Sequence, residues 1–415
     1  MSKFRKTRWQ MIIAVCWITF FAIQSAAGKD DAQTADKPDV PENRLYIDPQ
    51  SRDFAANPEL LDRILKDPHG YFRFINVLFS EEVCRRFSTK LPNSPSLNLH
   101  GDAHIEQYAI TDLGRGLTDF DDASSGPGYL DLLRFGVSLN LTCQLNNYPD
   151  SAKIAFNEFL RGYRDALKDP AFEVPECALV QNIRSKFFID REAYFKWVAT
   201  VADTMPEAEK DTLKRALQPY VDMQLLENQS LTPEYFSIVS LGYLKMGIGS
   251  ALDIKYLARI KGKTDDPMDD VVLELKEVRD LSGISCINTQ HTTDPFRILV
   301  GQTRIAYQPF KHLGYFRFHG RTFWVHSWVD NYKEVNVNKS FHNFSDLRDV
   351  AYDVGIQLGK GHVKHIAAPL DLQLRREQQL LVQKNQKLLW QTCVNLSEEA
   401  TKAWEMFRDQ VANQQ

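Results

Sequence analysis

The sequence predicts an α+β protein of two lobes, one mostly helical and one built on a small antiparallel sheet. Three observations carry this. Apolar residues recur at helical spacing from Leu60 onward and again after residue 336. Between these segments, residues 240–335 change to short apolar stretches separated by Gly-containing and polar turns, the pattern of strands. Hydrophobic residues make up 43% of the chain and charged residues 25%, enough for a substantial core.

The N-terminus carries Lys3, Arg5, Lys6 and Arg8, then an apolar run over 11–23, then Ser25-Ala26-Ala27. Basic, apolar, small is the layout of a secretory signal peptide, so residues 1–27 are read as one. An uncleaved anchor is the alternative, although the run falls short of the roughly 20 residues that span a bilayer. In both readings the basic end stays inside and the rest is exported, periplasmic or secreted. No later stretch is apolar enough for a transmembrane segment. Residues 28–45, rich in Asp, Lys and Pro, read as a disordered tether.

Residues 46–239 form the mostly helical lobe, with helices expected over 129–145, 152–167 and 191–226. Residues 97–122 interrupt it with short strands at 97–99 and 108–110 and a hairpin turn at 112–116. In the sheet lobe, 240–335, residues 243–261 read as strand, turn and strand around Gly247-Ile248-Gly249-Ser250. Further strands are expected over 271–278 and 323–329. Residues 336–415 return to helix over 347–360 and 372–411 and pack on the helical lobe. Their leucine spacing fits core packing better than a coiled-coil seam.

The formal net charge of -4 excludes a basic, non-specific nucleic-acid binder. Beyond Cys16 in the leader, Cys84, Cys143, Cys177, Cys286 and Cys393 are widely spaced with no CxxC pair. That argues against zinc. An exported chain permits disulfides, but buried free thiols are the simpler expectation.

Residues with chemical potential concentrate in His100-Gly101-Asp102-Ala103-His104 and Asp119-Phe120-Asp121-Asp122. A hairpin between the two groups brings Asp102 and Asp119 to one cavity. Paired carboxylates require a cation or a proton between them, and Mg²⁺ (or Mn²⁺) suits oxygen ligands and tolerates phosphate. This stretch resembles the core of kinase-like small-molecule phosphotransferases such as aminoglycoside and choline kinases. The matching residues run from His100 through Asp119 to Gly126-Pro127 and Asp131. The resemblance implies a kinase-like fold, Asp102 as the base with His104 beside it, Asp119 as metal ligand, Asp131 as loop brace, and ATP as donor to a small-molecule acceptor. The second metal ligand falls at Gln107, where that family carries Asn. Gly247, Gly249 and Ser250 would cover the phosphates and Lys276 would pair with them.

The order of these pieces, catalytic loop before Gly-rich sheet, is similar to a large family of conserved bacterial proteins. Its motifs correspond here to Tyr71-Phe72-Arg73, residues 101–108, Asp119-Phe120-Asp121, residues 247–250, residues 273–277, Gly301-Gln302-Thr303-Arg304 and residues 355–362. A circular permutation of the kinase lobes explains that order. Arg73 and Arg304 are candidates for phosphate contacts or for structural ion pairs. His100, His326 and His362 are expected to be structural, and Asp121 and Asp122 to support the site or face solvent. Two other functions remain open. One is an exported metal-dependent hydrolase using His100, Asp102, His104 and Asp119. The other is a catalytically inactive kinase-like binding protein, to which Gln107 points.

Overall fold

A computed structural model describes residues 43–54, 57–244, 253–289 and 292–413. The leader and most of the tether lie outside these residues, as do Gly247, Gly249 and Ser250. The helical lobe opens with α1 (Pro58–Lys66), α2 (Pro68–Phe74) and α3 (Asn76–Lys90). Asn57 caps α1 through the Leu60 N–H and Asp67 caps α2 through the Gly70 N–H, each just before a proline that needs no donor partner. Four short strands follow: β1 (Ser96–Leu99), β2 (Tyr108–Thr111), β3 (Arg115–Leu117) and β4 (Ser124–Pro127). Then come α4 (Tyr129–Leu145), α5 (Ala152–Lys168), α6 (Ala178–Arg184) and α7 (Arg191–Val201). The remainder is β5 (Ala202–Asp203), α8 (Glu207–Glu227), β6 (Ile238–Leu244), β7 (Lys255–Ile260), β8 (Val271–Glu277), α9 (Phe296–Ile305), β9 (Gly314–Phe318), β10 (Arg321–Ser327), β11 (Tyr332–Glu334), α10 (Phe344–Gly361) and α11 (Leu370–Ala412).

Helix α4 is buried from Tyr129 to Cys143, its polar residues Asp131, Arg134, Ser138, Asn140 and Thr142 included, so it forms the axis of the helical lobe. Helices α3, α5 and α11 pack around it. The closest helix pair is α5 with α10, and glycines permit it: a Cβ on Gly162 would lie 2.2 Å from the Tyr352 carbonyl oxygen, and one on Gly355 2.1 Å from that of Phe159. The long α11 turns Val382, Leu389, Leu396, Ala400, Ala403 and Phe407 into the same core, the packing role expected of it.

The sheet lobe is a six-stranded antiparallel sheet in the order β5-β6-β7-β8-β10-β9. One face buries Tyr256, Leu273, Leu275, Phe323 and Val325 against Leu213, Leu217 and Tyr220 of α8. On the other face Lys276 stands opposite both Lys255 and Trp324. The lobes meet within one unit, and β11 pairs with β2 of the helical lobe.

Several expectations need correction. The helix expected over 191–226 is broken by β5 and restarts after Pro206, whose missing N–H suits a helix start. Because α8 packs on the sheet, the sheet lobe draws on residues before 240. Strand β6 begins at Ile238, and α9 and β9 were not expected. Cys84 and Cys286 form a disulfide joining α3 to the segment after β8, whereas Cys143, Cys177 and Cys393 remain thiols. Among the described residues no helix is long and apolar enough to cross a membrane.

Candidate functional site

Residues 100–104 leave β1 and enter the cleft between the lobes, which encloses a cavity of about 850 Å³. The turn depends on Gly101, at φ 84°, where a Cβ would lie 1.9 Å from the Asp122 carbonyl oxygen. Asp131, in the first turn of α4, accepts the backbone N–H of His100 at 2.7 Å and of Gly101 at 2.8 Å. It also lies 3.1 Å from His362 Nε2, and the Tyr163 hydroxyl sits 2.7 Å from His362 Nδ1. Burial alone would raise the Asp131 pKa, but the His362 hydrogen bond and the His100 and Gly101 contacts hold it below the ordinary value.

Within that loop His100 is a brace: its Nε2 donates to the Thr118 carbonyl at 3.0 Å and its Nδ1 accepts from the Asp102 N–H at 3.3 Å. Asp102 Oδ1 receives two donors of Arg134, Nε at 2.9 Å and Nη2 at 2.7 Å. Its Oδ2 faces His104 Nε2 at 3.6 Å, beyond hydrogen-bond range. Burial pushes the Asp102 carboxyl up to about 7 against the pull of Arg134. His104 is 1% exposed, its Nδ1 has no hydrogen-bond partner among the described residues, and burial drives its pKa well below the ordinary value. Arg134 itself lies over the Phe72 ring at 3.8 Å and donates to the Phe72 carbonyl at 2.9 Å.

The hairpin of β2 and β3 returns the chain to Asp119, whose φ of 57° is rare for a non-glycine residue. Lys276 reaches it from the sheet lobe: Nζ is 2.7 Å from Asp119 Oδ1 and 2.5 Å from Asp121 Oδ2. The other Asp121 oxygen accepts the Trp324 indole N–H at 2.8 Å. Burial works to raise both carboxyls. In Asp119 the Lys276 ammonium wins and holds the pKa far down, whereas Asp121, beside that ionised neighbour, is pushed up to about 8. The lysine stays charged because its acidic neighbours, the ionised Asp119 first among them, outweigh its burial. Asp122 supports the turn, taking Asn76 Nδ2 at 3.1 Å and Arg279 Nη1 at 2.9 Å.

Gln107 is buried with Nε2 3.5 Å from Asp119 Oδ2. Gln107 and Asp119 are thus neighbours on the cavity wall, with the amide nitrogen of Gln107 turned to the carboxylate. Among the described residues, no three His, Cys, Asp or Glu side chains form a group that could hold a metal ion. Arg73 lines the cavity and pairs with Glu106 at 2.6 Å. Arg304 instead donates to Asn98 at 2.7 Å and is not on the cavity wall, which makes its role structural. Leu244 and Lys255, the ends of β6 and β7 on either side of residues 247–250 in the sequence, both line the cavity. His326 also lines it, between the rings of Phe310 and Trp324.

Sequence reading missed Arg134, Arg279, Glu274 and Trp324. Arg134 had a signal, the one cation in a largely apolar helix, where a buried charge requires a partner.

The chain belongs to a family of uncharacterised proteins conserved in bacteria (DUF2252), whose family model matches residues 52–200 and 180–410. No curated protein and no solved structure matches the chain.

Proposed function

Within this bacterial family, we propose that the chain is a kinase-like protein that binds a nucleoside triphosphate, ATP or a close relative, with Mg²⁺ or Mn²⁺. In this reading it transfers phosphate to a small acceptor. The observation that carries the reading is the meeting of Lys276 with Asp119 and Asp121 in the cavity that also holds Asp102. A strand lysine, a metal-loop aspartate and a loop base in one cleft are the parts that phosphoryl transfer requires.

Chain order supports a permuted arrangement. Asn98, in the strand leading to the 100–104 loop, donates through Nδ2 to the carbonyls of Gly361 at 2.8 Å and His362 at 3.2 Å. The end of α10 therefore lies against the start of the catalytic segment. Joining them would restore the order sheet lobe, linker, helix, catalytic loop, metal loop.

The Asp119 carboxylate, with the Gln107 amide beside it, fits a hard divalent cation. Mg²⁺ commonly takes one or two protein oxygens and completes its shell with phosphate and water, so Asp119 and Gln107 would hold it without a dedicated protein cage. Bound there, the cation would neutralise charge on the phosphates. Asp102 Oδ2 accepts the acceptor hydroxyl proton as the acceptor oxygen bonds the γ-phosphorus and the bond to the nucleoside diphosphate breaks. With Asp102 titrating near 7, its base form appears as pH rises through neutrality, so transfer should increase from pH 6 to 8. Lys276 remains an ammonium and offsets charge on the phosphates.

The hydrolase reading has less support, since both ring nitrogens of His100 are engaged within the loop. The inactive-binder reading is favoured by Gln107, whose longer stem displaces the amide relative to Asn. Export is supported by the Cys84–Cys286 disulfide, which persists in oxidising compartments. Equilibrium binding of ATP and GTP to the full chain tests the proposal. Binding should require Mg²⁺ and weaken roughly tenfold or more in Lys276→Ala; metal-independent binding unchanged by that substitution would refute it.

A further inference from the structure

Glu274 lies two residues before Lys276 on β8, so both side chains face the cleft about 7 Å apart along the strand. If Lys276 meets the phosphates, the base of the same nucleotide falls further along this face. There the wall is Glu274, only 13% exposed at its side chain. Its Oε2 accepts the Trp328 indole N–H at 2.6 Å and lies 3.4 Å from His326 Nε2. Burial works to raise its pKa, but Lys276 and His326 hold it down at about 2, so it faces the cavity as an anion. Flat rings flank it: Trp324 and Phe310 stack on His326 with centroids 4.6 and 4.8 Å away, and Trp328 stacks on Trp197 at 5.5 Å.

We propose that Glu274 reads the base of the bound nucleotide and makes the site selective for guanine over adenine. The inference rests on the nucleotide-binding reading above. An ionised carboxylate only accepts hydrogen bonds. The pairing edge of guanine offers it two adjacent donors, N1–H and the 2-amino group. Adenine offers one amino group beside the lone pair of N1, which an anion repels. A donor pair aimed at a charged acceptor gives a large difference, because the wrong base leaves a desolvated carboxylate unpaired.

The test is calorimetric titration of the full chain with Mg²⁺ complexes of GTP, ITP and ATP. GTP should bind roughly tenfold to a hundredfold more tightly than ATP. ITP, which keeps N1–H and lacks the 2-amino group, should fall between them and requires no protein variant. Glu274→Gln keeps an acceptor for Trp328 and should bring GTP and ATP to within about threefold. ATP binding as tightly as GTP to the unmodified chain would overturn the proposal and leave nucleotide binding intact. Failure of all three triphosphates to bind would refute the nucleotide reading itself, and this inference with it.

Discussion

Lys276 Nζ lies 2.7 Å from Asp119 Oδ1, although 157 residues separate them in the chain. The lysine comes from the sheet lobe and the aspartate from the hairpin of the helical lobe, so this ion pair spans the cleft. Lys276 is buried while Asp119 is about a third exposed at its side chain, so the lysine depends more on the pair. Losing Asp119 leaves a cation with poor access to water, which is costly unless a ligand replaces the carboxylate. A cation beside Asp119 and phosphate beside Lys276 would replace both partners together.

Asp131 should be a positioning residue for the 100–104 loop. Asp131→Ala removes the acceptor of two buried backbone donors and of His362. At about 1–3 kcal/mol for each orphaned donor, the loss should reach roughly 3–5 kcal/mol. Denaturant unfolding measures it, and Asp131→Asn, which keeps one acceptor oxygen, should lose less. A change under 1 kcal/mol would show that the loop is held otherwise.

His69 gives a pH dependence with a defined sign. The ring is fully buried with Nε2 2.7 Å from Ser138 Oγ, and burial lowers its pKa to about 4. Between pH 6.5 and 4 the unfolded chain therefore binds more protons at this position than the folded one. Its contribution leaves stability unchanged above pH 7 and lowers it as pH falls through that window. Relative to His69→Gln, the unsubstituted protein should lose roughly 3 kcal/mol by pH 4. Taking the difference between the two proteins cancels the titrating groups that do not sense His69, and a pH-independent difference would contradict the account.

The Cys84–Cys286 link ties α3, which carries Asn76 against Gly101 and Asp122, to the segment carrying Arg279. Reduction should lower unfolding stability by about 2–5 kcal/mol, measured with and without dithiothreitol. Cys84→Ser should show the lower stability in both conditions. Equal stability of the oxidised and reduced proteins would show that the link does not contribute.

Much of this site was legible where the cause is local. The 112–116 turn between alternating stretches gives the hairpin that brings Asp102 and Asp119 to one cavity, and α4 runs over the expected 129–145. Lys276 stood in a clear strand pattern. What escaped depends on distant partners. Nothing near Cys84 specifies Cys286, and nothing near Arg134 says that it holds Asp102. Helix α8 has the periodicity of any helix, and only the sheet it covers assigns it to that lobe. Strand β9 is short and gains its place from pairing with β10.

The division of labour between two carboxylates tests the central claim most directly. Mg²⁺-dependent affinity for GTP and ATP should be measured by calorimetry for the unsubstituted chain, Asp119→Ala and Asp102→Ala, with phosphate transfer followed in parallel. Asp119→Ala should abolish the Mg²⁺-dependent affinity, because the carboxylate that would face the metal and phosphates is gone. Asp102→Ala should keep nucleotide affinity within about threefold and remove any transfer activity, because a base acts only as the acceptor proton leaves. Loss of metal binding in Asp102→Ala and His104→Ala, with Lys276→Ala unaltered, would contradict the phosphotransferase account and favour a metal-dependent hydrolase.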